Sequence, residues 1–228
     1  MTKHVILNSQ AHRNLRVDAT PSARLGDNQR FVPVVINEFP FLVPHYPIFF
    51  SKDADTGAFY CGAMLGFDEG ENLFLDDGRD SYRPLHVQRG PFVTVGADLA
   101  IDLENPRVGQ NKGERLFTEG GETTPYLESV KSLFRELYPG IERTKVFIAA
   151  LLELKLVEPV DLNVGFDDAT QRTITGLYTV DQQALRELPD EKIVELFRRG
   201  YLQLIYLMIA SLKQVPVLGQ KKNRRLRQ

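Results

Sequence analysis

Near residue 120 the spacing of apolar residues changes, and nothing else in the chain constrains its fold as strongly. Before that point, short apolar runs at 31–36, 48–50, 59–67, 72–75, 85–87, 92–95 and 99–103 are separated by Gly, Pro and Asp. Runs of this length, rich in Phe, Val and Ile, predict strands joined by turns. After it the period lengthens to that of helices. Thr124 is placed to cap a helix with Pro125 in its first turn, where a missing N–H costs nothing. Leu127, Val130, Leu133, Phe134 and Leu137 then share one face. Pro139-Gly140 is expected to end this helix, and a second is expected from about Glu142 to Leu156. Thr173 to Val180 reads as a strand, Asp181 as the cap of a short helix over Gln182–Leu188, and Asp190 as the start of a long apolar helix to about Lys213. Within it, Ile193, Leu196, Phe197, Leu204, Leu207 and Met208 lie at helical spacing and read as core.

The expected fold is therefore α+β, a mostly antiparallel sheet from the N-terminal half packed against C-terminal helices. We expect one domain over residues 1–228, with a β-rich lobe (1–120), a mainly helical lobe (121–215) and a basic tail (216–228). Lys221, Lys222, Arg224, Arg225 and Arg227 crowd that tail after Pro216 and Gly219, so it reads as solvated and disordered.

A chain of 228 residues with 43% hydrophobic and 25% charged side chains is an ordinary globular composition. A net charge of -2 argues against an electrostatic nucleic-acid binder. The single cysteine, Cys61, permits no internal disulfide, and its apolar neighbours make it a small buried hydrophobe. Residues 1–17 hold no apolar core of the kind a secretory signal needs. The apolar stretch Tyr201–Leu212 falls short of the roughly 20 residues that span a bilayer. A cytoplasmic location is expected, with export by a route lacking a cleaved signal left open.

Chemistry-bearing residues are sparse. Pro40, Pro44 and Pro47 remove backbone donors between Glu38 and Phe50 and bias their preceding residues towards extended geometry. The segment reads as an extended ribbon along a sheet edge, neither helix nor central strand. Phe39, Phe41, Tyr46, Phe49 and Phe50 would anchor it in the core, or it would wall a groove with Glu38 and His45 facing a ligand. Asp68, Glu69, Glu71, Asp76, Asp77 and Asp80 form an acidic loop that departs from the calcium-binding loop pattern, and Asn72 is suited to closing a turn with its side chain. Arg83 and Arg89 flank an apolar run containing His86, read as a strand. They can clamp a carboxylate or phosphate or, as preferred here, pair with the acidic loop. His4, His12, His45 and His86 have no metal-ligand spacing, and no phosphate loop, nucleophile elbow or dinucleotide fingerprint is present. No cofactor and no metal are implied.

Several ordered motifs together resemble the bacterial SapC family, named for surface-layer proteins: Glu38-Phe39-Pro40 with Tyr46-Pro47-Ile48, Gly70-Glu71-Asn72-Leu73-Phe74, Tyr82-Arg83-Pro84, Arg89-Gly90-Pro91-Phe92 and, later, Thr175-Gly176-Leu177-Tyr178, Gly200-Tyr201-Leu202 and Ser211-Leu212. This family is distinct from saposin C and from the transporter subunit of the same name. Its members usually carry a Trp shortly before Tyr-x-Pro. This chain has none, and Arg79, Asp80 and Ser81 stand there. The resemblance implies a non-catalytic protein- or peptide-binding or accessory module, linked to surface-layer proteins or to a flavin-dependent halogenase-like or cupin-like enzyme. Ligand or partner contacts are expected at Glu38, His45, Tyr46, Asn72, Tyr82 and Arg89, with strand addition beside the proline ribbon as the mode. The alternative is an enzyme of unrecognised type with a pocket around His45 and Arg89.

Overall fold

The computed structural model describes residues 4–75 and 81–227. Within them the strands are β1 (His4–Ile6), β2 (Arg16–Val17), β3 (Phe31–Pro33), β4 (Ile48–Lys52), β5 (Phe59–Met64), β6 (Phe92–Val95), β7 (Asp98–Asp102), β8 (Val108–Gly109), β9 (Glu114–Arg115), β10 (Val157–Gly165) and β11 (Gln171–Val180). The helices are α1 (Phe39–Leu42), α2 (Leu85–Gln88), α3 (Pro125–Glu153), α4 (Gln182–Arg186), α5 (Asp190–Arg198), α6 (Tyr201–Ser211) and α7 (Gln214–Leu226). The fold is α+β, and every described strand pairing is antiparallel. The residues group into two compact units, Met1–Asn28 with Leu85–Pro139, and Gln29–Pro84 with Gly140–Gln228.

In the first unit, β1, β7 and β6 form one small sheet and β8, β2 and β9 another. The long excursion from β2 is tied down by Arg107, whose guanidinium pairs with Asp27 at 2.6 Å and donates to the carbonyls of Asp18 and Thr20. Both side chains of that pair are about 5% exposed, so the geometry has to be well satisfied to offset desolvation. Thr124 caps α3 as expected, its hydroxyl accepting from Leu127 N–H.

In the second unit a five-stranded sheet runs β10-β11-β4-β5-β3. The ribbon prediction fails here. Ile36–Glu38 form a 3-10 turn, Phe39–Leu42 a turn of α-helix, and Ile48–Lys52 the central strand of the sheet, flanked by β11 and β5. Pro40 lies in the first turn of α1, where its absent donor is not needed. Phe39 and Val43 precede prolines yet stay helical. The bonds Val43 N–H to Phe39 O and Tyr46 N–H to Leu42 O offset that local bias. β4 pairs with β5 along its length and with β11 at Phe50 and Ser51, so the end of the proline segment is not an edge strand.

Other local readings change for equally local reasons. Leu85–Gln88 is a helical turn and not a strand, and residues 73–75 form a turn. The helix α3 does not stop at Pro139 but carries it in its interior. Gly140 beside it lets Val35 approach so closely that an added Cβ would sit 2.8 Å from Val35 Cγ2. One turn on, Thr144 Oγ1 donates to the Gly140 carbonyl and accepts from Ile36 N–H. The expected helix from Asp190 breaks at Gly200, whose φ of 74° belongs to the left-handed region. The tail from residue 216, expected to be disordered, is helical as far as Leu226, as part of α7. Pro216 falls in its first turn, where a proline costs little.

The core of this unit is aromatic: Phe39, Tyr46, Phe49, Phe50, Phe67 and Phe147 are almost completely buried. Ser211 of α6 accepts from Ile48 N–H at 2.9 Å and returns its proton to Met208 O, fastening α6 to the start of β4. By length and composition Tyr201–Leu226 is apolar enough to cross a membrane, although Ile205, Met208 and Ser211 face the protein interior.

Candidate functional site

Of the sequence-predicted site residues, five lie in the second unit. Glu38, at the end of the 3-10 turn, is fully buried. One carboxylate oxygen accepts from Val35 N–H at 3.0 Å and the other from the Tyr82 hydroxyl at 3.2 Å. Tyr46 is 1% exposed and donates to the Tyr82 carbonyl at 2.6 Å. Its ring packs 4.5 Å from Phe74. Asn72 holds the Phe74 segment, its side-chain oxygen accepting from Phe74 N–H at 2.9 Å, the turn-closing role its sequence context implied. His45 is half-buried, its ring 5.9 Å from that of Tyr46.

One of the expectations is corrected. Phe41 does not anchor the core. It is 56% exposed and stacks on the half-buried Tyr82 ring, centroids 5.4 Å apart. At the described end of the acidic loop, Asp68 and Glu71 are held by cations from α7 and β11. Lys222 of α7 reaches Asp68 at 2.7 Å and Glu71 at 2.6 Å, and Arg172 of β11 reaches Asp68 at 2.7 Å. Glu71 also accepts from Phe67 N–H. The Lys222 and Arg172 bonds hold the Asp68 carboxyl below its usual range. Burial alone pushes the Lys222 ammonium down, and its two carboxylate partners outweigh that and hold it above its ordinary value. Asp76, Asp77, Arg79 and Asp80 lie outside the described residues. Among the described residues no three His, Cys, Asp or Glu side chains converge as a metal would require.

Arg89 belongs to the first unit, on the turn that follows α2, and donates to the Phe92 carbonyl at 3.0 Å. Burial lowers its pKa, and burial followed by the Arg89 charge pulls His86 down to about 4. Desolvation pushes the Cys61 thiol far up, leaving it an inert apolar filler.

Sequence reasoning missed Phe41 as a surface residue and Lys222 as a buried one. The second was detectable, because Val215, Leu218 and Lys222 recur at helical spacing through the basic run.

The surface that results is an exposed aromatic, Phe41, with Pro44, His45 and Tyr82 around it. It stands on polar groups already spent on one another: Glu38 on Tyr82, Tyr46 on Tyr82, Asn72 on Phe74. Such a surface can hold an apolar or aromatic group by stacking. No curated protein and no solved structure matches the chain. The SapC family model matches residues 7–218, the full set of motifs that build this surface included, and the chain belongs to the SapC family.

Proposed function

We propose that this chain is a non-catalytic binding module whose partner is a protein or peptide, seated on the Phe41–Tyr82 surface. The observation that carries the reading is Phe41 itself. A phenylalanine left 56% exposed, stacked on a half-buried tyrosine and placed beside Pro44, is the anchor-and-pocket chemistry of protein interfaces. Beneath it Glu38, Tyr46 and Tyr82 bond to one another, an arrangement that serves rigidity.

The partner class is a surface-layer protein or a halogenase-like or cupin-like modifying enzyme, and the complex forms in the cytoplasm. The absence of a membrane span in this reading is supported by Ser211 and Lys222, both engaged inside the second unit. The test is affinity capture from the native cell with the intact chain and with Phe41→Ser. A single partner retained by the first and lost by the second is expected. Equal retention by both would end this reading, and turnover of a metabolite by the chain alone would replace it with an enzymatic one centred on His45.

A further inference from the structure

The first unit contains a cleft of about 610 Å³ that none of the motif residues line. One wall is the tip of the β6–β7 hairpin, with Thr94 and Leu99 directly opposite each other in the register. The other is the first half of α3, presenting Phe134, Arg135 and Tyr138. At the other end of the hairpin Phe92 and Ile101 are fully buried, and the Phe92 ring lies 6.2 Å from that of Tyr126 on α3. Its volume is in the range of ligand clefts, and its mostly exposed lining leaves it open to solvent, which suits a few residues of a peptide.

Its chemistry is uneven. Phe134 and Tyr138 supply an aromatic wall, with Tyr138 45% exposed. Lys131 is committed to Glu128 at 2.8 Å. Arg135 has the Ser132 hydroxyl at 3.5 Å and, among the described residues, no carboxylate within ion-pair distance. Asp98 on the hairpin is the opposing charge.

The hairpin wall adds a backbone edge. Among the described residues β6 pairs with β7 alone. Asp102 N–H bonds to Pro91 O, and the alternation of an antiparallel ladder then turns the bonds of Val93 and Val95 towards β7 and those of Phe92 and Thr94 outwards. Phe92 spends its groups on Arg89, N–H to the Arg89 carbonyl and C=O to the guanidinium. Thr94, which lines the cleft, has no backbone partner for its outward N–H and C=O among the described residues, which leaves them for an added strand.

We propose that this cleft binds an extended peptide segment of a partner protein that carries an acidic side chain two residues from an apolar or aromatic one. In an extended chain, side chains at i and i+2 share a face, and on α3 Arg135 and Tyr138 are neighbours at i and i+3. The carboxylate then meets Arg135 while the apolar group lies on Phe134 and Tyr138, and the backbone between them bonds to Thr94. This site uses other residues than the Phe41 surface and does not depend on it.

The test is selection of random heptapeptides displayed on phage against the immobilised full chain, then fluorescence polarisation with a labelled peptide of the enriched sequence. Enrichment of an acidic–x–apolar pattern in either direction is expected. Arg135→Glu and Tyr138→Ala, both at exposed positions, should each weaken the peptide at least tenfold without moving the thermal midpoint. Replacing the peptide's acidic residue by lysine should restore binding to Arg135→Glu. Phe41→Ser should bind the peptide as the unaltered chain does. No enrichment, enrichment without an acidic residue, or affinity indifferent to Arg135→Glu would each overturn the proposal.

Discussion

Glu38 shows how one side chain can be both a family signature and a structural device. Its two oxygens answer two donors, Val35 N–H and the Tyr82 hydroxyl, in a site without solvent. Glu38→Gln puts an amide donor against one of them, and a buried polar group left facing a donor costs about 1–3 kcal/mol. Tyr82→Phe removes the hydroxyl and keeps the ring under Phe41, at about 1 kcal/mol. Because the two share a bond, chemical denaturation of both single variants and the double should give a double loss smaller than the sum. Lys222 gives a pH signature of the same kind. The Asp68 carboxyl is depressed from 3.8, so its contribution is present above that value and lost as pH falls through the lower folded one. The Lys222 ammonium is raised from 10.5, so its contribution is present below that value and lost as pH rises through the higher folded one. Thermal midpoints should be level between these limits and fall on both flanks. Lys222→Met should lower the plateau by about 2 kcal/mol, leaving Glu71 with a buried charge, and weaken both flanks.

At the level of elements, what was legible in the sequence was what is decided within a few residues. Thr124 and Asp181 cap helices in the structure as their neighbours imply, Asp181 accepting from Gln183 and Ala184 N–H. The runs at 92–95 and 99–103 pair as β6 and β7. The prolines misled because a breaker is a breaker only in a helix interior with nothing to hold it. Pro40 and Pro216 lie in first turns, and Pro139, which is interior, is carried by a helix of 29 residues. The site was half legible. The motifs named Glu38, Tyr46, Asn72 and Tyr82, but the exposure of Phe41 depends on α1 being a helical turn, which the proline bias argued against. Gly140 sets two local terms in opposition. Gly140→Ala gains about 1 kcal/mol of helix propensity, and the clash 2.8 Å from Val35 Cγ2 costs about 1–3 kcal/mol. The clash should win, and the thermal midpoint should fall. Ala169→Gly should do the reverse. Ala169 sits at φ 63° in the β10–β11 turn, a conformation that costs a side chain about 1 kcal/mol and glycine little.

Across the whole molecule, the change of period at residue 120 separates most strands from most helices in sequence, but β10 and β11 follow it and the packing of the second unit does not respect it. That unit draws on residues 29–84 and 140–228 together. Its central strand β4 pairs with β11 from the second half, Ile48 N–H is satisfied by Ser211, Ile36 N–H by Thr144, and Glu71 by Lys222. None of these bonds lies within reach of a local pattern, which is why the sequence could name the elements without pairing them. A fragment of residues 1–120 would keep β3, β4 and β5 but expose one side of β4 and leave Glu38 and Phe39 without the second half of α3 over them. Buried donors such as Ile36 N–H and Ile48 N–H would lose their acceptors, each at about 1–3 kcal/mol, and Phe39 would lose Phe147. Against a total stability of about 5–15 kcal/mol for a domain, those losses alone are enough to unfold it. The fragment should therefore show no near-ultraviolet circular dichroism from its tyrosines and no cooperative melt. Adding residues 121–228 as a separate chain should restore both signals, because the missing partners are side chains and strand edges that a second chain can supply. A cooperative melt from the fragment by itself would mean that the first half closes its own core and that β11, Ser211 and Thr144 are dispensable.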